Sequence, residues 1–223
     1  MFVETGGYGL MGTELAKVMD IKRLSHKDIE IRDEESVKRA LEGADLVLHL
    51  AAYVDVVKAE KEKELVYATN VIGSRNVSRE ARTLYVSTDY VFDGEKGNYN
   101  EQDYVNPRTY YGFTKLLGEY EVLQNGGKVL RMSFKPRPYK HPKVPREMVF
   151  SGGYVDDIAQ EIKWAMEHYE ELPPLTHVGF KRVSLLEFAR RTREVEPMSI
   201  KDIAVPIPRD TSFNLTLWHE LKG

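Results

Sequence analysis

The sequence predicts an α/β fold: a doubly wound parallel sheet over residues 1–133, with a small, shortened C-terminal lobe over 134–223 interleaved with it into one compact unit. Three observations carry this. Short apolar runs alternate with stretches of helical period. The first run, Phe2-Val3, leads straight into a glycine turn and then a helical pattern. The run Asp45 to Ala52 is almost continuously apolar, as a parallel strand covered on both faces should be. At 223 residues the chain can form one substantial core, or a core with a small second lobe.

Phe2-Val3 is a very short strand, and Glu4 is out of place in it, since a buried central strand favours an apolar residue there. Met11, Leu15, Val18 and Met19 then recur at helical spacing. Lys22 to Lys27 includes the end of a second strand. Glu34 to Gly43 reads as a helix with Val37, Ala40 and Leu41 inward and Gly43 at its end. His49, in the next strand, reads as a sheet histidine. Lys58 to Arg82 is a long charged helical pattern with Asn70 set among apolar neighbours. Thr83 to Phe92 returns to strand. A polar loop follows, marked by Asp93-Gly94, Gly97-Asn98 and Asn106-Pro107, with Pro107 expected in the first turn of a helix that passes Lys115 towards Gly126-Gly127.

Val129 to Phe134 is another strand. Residues 135–146 hold four prolines, five Lys/Arg and no acid. They form either a proline-stiffened loop or a cationic arm able to pair with a diphosphate. Asp156-Asp157 are expected to cap a helix that points Ile158, Ile162, Ala165 and Tyr169 inward and stops at Pro173-Pro174. Thr176 to Gly179 is a short strand and Ser184 to Thr192 a helix. The proline-punctuated tail 197–223 shows no assignable pattern.

Composition excludes several classes. The net charge of −3, from 32 basic and 35 acidic residues, leaves no basic excess for a nucleic-acid-binding role. Charged residues make up 30% of the chain, compatible with a heat-adapted source. Without cysteine there is no disulfide framework and no thiol nucleophile, and the six histidines lack metal-ligand spacing. No apolar run is long enough for a membrane span and no leader precedes the first strand, so the expectation is a cytoplasmic protein without a membrane partner.

Two constellations carry chemistry. Gly6, Gly9 and Gly12 sit between a strand and a helix, where glycine lets the backbone turn tightly and approach a pyrophosphate over unpaired helix amides. A plain strand-to-helix turn is the alternative. At the end of the second strand, Ser25 stands where an acidic residue would receive the ribose hydroxyl of NAD, with Arg23, His26 and Lys27 nearby. That neighbourhood suits a 2′-phosphate, favouring NADP(H) with NAD(H) as the alternative. The second constellation is Tyr111 and Lys115, four residues apart and so on one helix face. An ammonium beside a phenol lowers its pKa and fits it for proton exchange with a substrate oxygen, which a hydroxyl from Ser87-Thr88 could hold.

The order of these signals resembles the extended short-chain dehydrogenase/reductase family, and within it the dTDP-4-dehydrorhamnose reductase group. The resemblance rests on Thr5-Gly-Gly-Tyr-Gly-Leu-Met-Gly12, Ala51-Ala-Tyr-Val-Asp-Val-Val-Lys-Ala-Glu60, Ser87-Thr-Asp-Tyr-Val-Phe-Asp-Gly94, and Asn106-Pro107 leading to Tyr111-Gly-Phe-Thr-Lys115. Later echoes are Tyr154-Val-Asp-Asp-Ile-Ala159 and Arg209-Asp-Thr-Ser212. It implies a Rossmann-type sheet and hydride transfer between a nicotinamide and a nucleotide-linked keto sugar by a monomer or homodimer.

In that scheme Tyr111 donates the proton, Lys115 lowers its pKa and binds the nicotinamide ribose, and Thr88 holds the substrate oxygen with Ser87 as the alternative hydroxyl. Gly6, Tyr8, Gly9, Leu10, Met11 and Gly12 line the pyrophosphate. Ser25, Glu30 and Ile31 border the adenosine, while Leu50, Ala51, Ala52, Tyr53, Asn70 and Ser133 complete the cofactor site. Asp55, Phe134, Arg137 and Arg209 fall on the substrate side. Two segments are shorter than in the group, one between Asn70 and Thr88 and one after Phe134. Related readings are a sugar-nucleotide epimerase or dehydratase, for which Asp89 beside Thr88 would be the acid, and a non-catalytic NADP-binding regulatory subunit.

Overall fold

A computed structural model describes all 223 residues, Met1 to Gly223. The chain runs β1 (Phe2–Thr5), α1 (Leu10–Leu15), β2 (Lys22–Leu24), α2 (Glu34–Leu41), β3 (Leu46–His49), α3 (Val56–Ala59), α4 (Lys63–Tyr67), α5 (Gly73–Glu80) and β4 (Thr83–Thr88). A π-helical turn, Ala68–Ile72, joins α4 to α5. Then follow α6 (Tyr110–Gln124), β5 (Lys128–Met132), β6 (Phe134–Lys135), β7 (Lys143–Pro145), β8 (Val149–Phe150) and β9 (Gly153–Tyr154). The last elements are α7 (Val155–Glu167), β10 (Leu175–His177), β11 (Val183–Ser184), α8 (Leu185–Arg190), β12 (Glu196–Met198) and α9 (Thr216–Lys222).

Six strands form one sheet in the order β10-β5-β4-β3-β1-β2, and every neighbouring pair is parallel. The two-residue period of a strand sends alternate side chains to opposite faces. Leu46, Leu48, Leu84, Val86, Leu130 and Met132 therefore meet Leu15 of α1 and Ile158 and Ile162 of α7 on one face. Val3 and Val47 meet Val37 and Leu41 of α2 and Val77 of α5 on the other, where Tyr85 and Val129 also pack on Val122 of α6. Each such aliphatic side chain contributes roughly 1.5–3 kcal/mol on full burial. This double cover is why β3 begins as a continuous apolar run, Leu46-Val47-Leu48. A separate apolar cluster, including Tyr139, Val144, Phe150, Tyr154 and Phe188, lies beneath residues 135–198.

Several boundaries differ from expectation. Strand β3 stops at His49 instead of Ala52, because its partner β1 ends at Thr5, the residue paired with His49. Pro107 lies outside α6, whose first turn is closed by the Thr109 hydroxyl accepting from the Gly112 amide at 3.1 Å. A threonine offers an acceptor for a free helix amide; proline offers none. Asp156 and Asp157 lie in the first turn of α7, with Tyr154 in the cap position, and their carboxylates turn to Arg137. The tail contributes α9, whose Trp218 is buried in the main core.

Candidate active site

The sheet order reverses between β1 and β3, and in such sheets the crevice beyond the strands' carboxyl ends is where ligands bind. A cavity of about 850 Å³ opens there. One side is the turn after β1, from which Gly6, Tyr8, Gly9, Leu10, Met11 and Gly12 all reach the wall. Gly6 has φ +71°, and a Cβ on it would stand 2.9 Å from the Ala51 amide nitrogen. A Cβ on Gly12 would fall within 2.6 Å of the Gly7 carbonyl carbon. Only glycine fits both positions. Arg23 ties this turn to β2 by donating to the Gly7 carbonyl at 2.8 Å, with its guanidinium 4.3 Å from the Tyr8 ring centre.

Beneath the turn lies Glu4, fully buried, with Arg23 Nε 3.4 Å from its carboxylate. Burial pushes this carboxyl up to about 7 against the opposing pull of Arg23. At the adenosine end as sequence reading placed it, Ser25, Glu30 and Ile31 line the cavity. The Ser25 hydroxyl donates to Asp28 at 2.6 Å. Glu30 takes a two-pronged bond from Arg32 at 2.8 and 2.7 Å, which holds its carboxyl down to about 2. Of the basic neighbourhood, His26 reaches the wall while Arg23 serves the glycine turn; Arg32, also in the wall, escapes the sequence reading.

After β3, Leu50, Ala51, Ala52 and Tyr53 pass along the cavity. Asn70 does not reach it. Its side chain accepts from the Tyr53 amide at 2.7 Å and donates to the Tyr53 carbonyl at 3.2 Å and the Thr114 hydroxyl at 3.0 Å, pinning the strap from behind. Asp55 caps α3, accepting from the Val57 and Lys58 amides, and is likewise outside the wall.

Thr88, Tyr111 and Lys115 meet in this same cavity, together with Ser87, Ser133 and Phe134. Helix α6 presents Tyr111, Lys115 and Glu119 at four-residue intervals. The Lys115 ammonium donates to the Val86 carbonyl at 2.7 Å and stands 4.0 Å from the Tyr85 ring centre. Burial pushes it down to about 7, with Glu119 pulling the other way. Burial also pushes the Tyr111 phenol up to about 12, opposed by the Thr88 hydroxyl. This differs from the expected direction: loss of water, with Asp89 adding to it, outweighs the Thr88 hydroxyl, and the phenol holds its proton. The Ser87 hydroxyl is turned away, donating to Glu119 at 2.5 Å. The Thr88 hydroxyl, also in the wall, donates to Asp89 and accepts from the Tyr90 amide, both at 3.2 Å.

Arg137 and Arg209 lie outside the cavity wall; Arg137 is bound to Asp156 and Asp157. Sequence reading misses the buried pair of Glu119 and Arg131, bonded at 2.7 and 2.9 Å; Asp89, which it set beside Thr88, is buried and accepts from Thr211 at 2.5 Å. A signal exists for the pair: Glu119 continues the Tyr111–Lys115 spacing, and Arg131 interrupts an otherwise apolar strand.

The parallel sheet, the glycine turn and the crevice at the reversal of strand order are those of a Rossmann-like α/β protein. Residues 1–134 match the RmlD substrate-binding domain, and the chain belongs to that family. It is 36% identical over 133 residues to the dTDP-4-dehydrorhamnose reductase of Mycolicibacterium smegmatis, an alignment covering 54% of this chain and 41% of that protein. It is 37% identical over 113 residues to the methionine adenosyltransferase 2 subunit beta of Xenopus laevis, covering 47% and 34%. The match thus spans less than half the length of these curated relatives. Among solved structures, the dTDP-4-dehydrorhamnose reductase of Bacillus anthracis in complex with NADP superposes with a TM-score of 0.85 at 26% identity, covering 98% of this chain and 90% of that one.

Proposed function

We propose that the chain is an NADP(H)-dependent reductase of a nucleotide-linked 4-keto sugar. The observation that carries this is the convergence of Thr88, Tyr111 and Lys115 in one cavity with the glycine turn. Support for the cofactor comes from the glycine turn along the cavity wall, and from His26 at the far end, which suits a 2′-phosphate. The NADP-bound Bacillus anthracis relative points the same way. Residues 1–133 hold the cofactor in this reading, and the chain from Phe134 onward returns α7, β10 and α9 to the main core while the segment with its own apolar cluster forms the substrate lobe.

A bound nicotinamide supplies the hydride. The protein's share is orientation and proton handling. Thr88 turns its hydroxyl from Asp89 to the carbonyl oxygen of the sugar, donates to it and fixes it against Tyr111. Tyr111, kept protonated by burial, gives its phenolic proton to that oxygen as negative charge builds on it. The buried Lys115 stabilises the phenolate that is left and would hold a ribose hydroxyl of the bound cofactor. Asn70 acts at one remove by fixing the Tyr53 strap.

The test follows NADPH absorbance with dTDP-, UDP- and GDP-linked 4-keto sugars, comparing the parent with Tyr111→Phe. Expected is turnover with at least one sugar and a drop of about 10²–10⁴-fold in the variant, with NADP affinity retained. Full activity in Tyr111→Phe overturns the assignment. Tight NADP binding without turnover on any sugar favours instead a non-catalytic regulatory subunit; the Xenopus laevis relative is named as a subunit of methionine adenosyltransferase 2.

A further inference from the structure

The cationic stretch 135–146 divides in the structure. Arg137 pairs with Asp156 and Asp157, Lys143 with Glu196 at 3.9 Å and Arg146 with Glu147 at 3.6 Å. Lys140 is exposed and outside the cavity wall. Lys135 alone of the five lines the cavity. It is half-buried on β6, and its ammonium makes one hydrogen bond, to the Ser133 hydroxyl at 3.2 Å. An ammonium has three donors, so two are left without a protein partner. The Phe150 ring, 5.4 Å away, offers only a π face.

Its position in the cavity is fixed by the sheet. Thr88 is paired with Met132, and Ser133, Phe134 and Lys135 continue directly from that strand end. Lys135 therefore stands at the Thr88 and Tyr111 end, away from the Ser25 to Arg32 end. The carboxyl facing it is Asp89, which is already engaged by Thr88 at 3.2 Å and by Thr211 at 2.5 Å. Burial raises the Asp89 carboxyl towards its neutral form and disfavours the Lys135 charge. The remaining titratable groups on this part of the wall are Tyr90, Tyr111 and Lys115, none of them an anion at neutral pH. A desolvated cation with idle donors, and with no carboxylate within 4.0 Å, is stabilised by an incoming anion.

We propose that Lys135 is a specificity-determining residue that receives an anionic oxygen group of the substrate close to the reacting oxygen. The group is either a carboxylate carried by the sugar or the diphosphate joining it to the nucleoside. This deepens the reductase reading and rests on it. Arg137 and Arg209, which the sequence placed on the substrate side, lie outside the cavity wall.

The test is calorimetric titration of the NADP-saturated full chain with UDP- and dTDP-glucuronate and with the matching glucose compounds, in the parent, Lys135→Gln and Lys135→Arg. A charge-assisted bond of this kind corresponds to about 10–100-fold in affinity. Loss of that size for the glucuronates only, in Lys135→Gln, identifies the carboxylate; equal loss for both pairs identifies the diphosphate; Lys135→Arg restores part of either. Equal affinities in the parent and Lys135→Gln, or binding of none of the four by the parent, overturn the proposal. Unfolding curves of each variant check that the fold is kept. The 4-keto panel separates the two levels. Turnover with unchanged KM in Lys135→Gln removes this inference alone, whereas no turnover by the parent removes the reductase reading beneath it.

Discussion

Replacing Glu4 by glutamine removes a carboxyl that β1 seals inside the central sheet while leaving its shape in place. The folded protein holds this group near 7 instead of its ordinary 4.5, so the native state binds the proton more tightly than the unfolded chain does. The resulting stabilisation is complete below pH 4.5 and is lost as pH rises through about 7. A shift of that size is worth on the order of 3 kcal/mol across the whole window, and roughly 2–3 kcal/mol between pH 5 and pH 8. Arg23, at 3.4 Å, already offsets part of the burial. Glutamine has no proton to lose. Urea unfolding of the parent and Glu4→Gln at pH 5, 6, 7 and 8 should therefore show the variant gaining by that amount, relative to the parent, as pH rises. A stability difference that stays flat across the series would refute the reasoning and return Glu4 to an ordinary ion pair with Arg23.

The remaining predictions concern packing around the same cavity. Gly12→Ala drives a methyl into the Gly7 backbone, so it should lower Tm and weaken NADP binding at least about 10-fold by fluorescence titration, a fall of about 1.4 kcal/mol. Glu119→Ala leaves Arg131 charged and buried without its carboxylate and should cost about 3–5 kcal/mol in denaturant unfolding. The double replacement Glu119→Leu with Arg131→Met should recover most of that loss, because no lone charge remains.

The strand and helix alternation is legible in the sequence through β5 and again at α7, β10 and α8, because most strands centre on a short apolar run and each helix keeps one apolar stripe. The glycine turn and the Tyr111–Lys115 pair are legible for a related reason: both depend on spacing within one element. What the sequence hides depends on contacts between distant elements. Arg137 reads as a free cation because its partners, Asp156 and Asp157, come 19 and 20 residues later. Ser87 and Thr88 read alike, and only Glu119 reaching across from α6 separates their roles. Lys135 is hidden among five similar charges until β6 sets its direction. The direction of the Tyr111 shift needs the depth of burial, which spacing does not contain.

The π turn at Ala68–Ile72 bears on how this chain can tolerate changes in length. A helix that gains one residue normally rotates everything beyond it by about 100°, which would swing α5 away from α2 and the sheet. Widening a single turn absorbs the extra residue locally. The stretch before it keeps its orientation, the stretch after it keeps its buried Val77, and the widened turn itself delivers Asn70 to Tyr53 and Thr114. Deleting one residue there would regularise the helix, yet leave its two halves facing directions that no longer match their neighbours. The irregularity is what permits two packing registers to coexist in one continuous element.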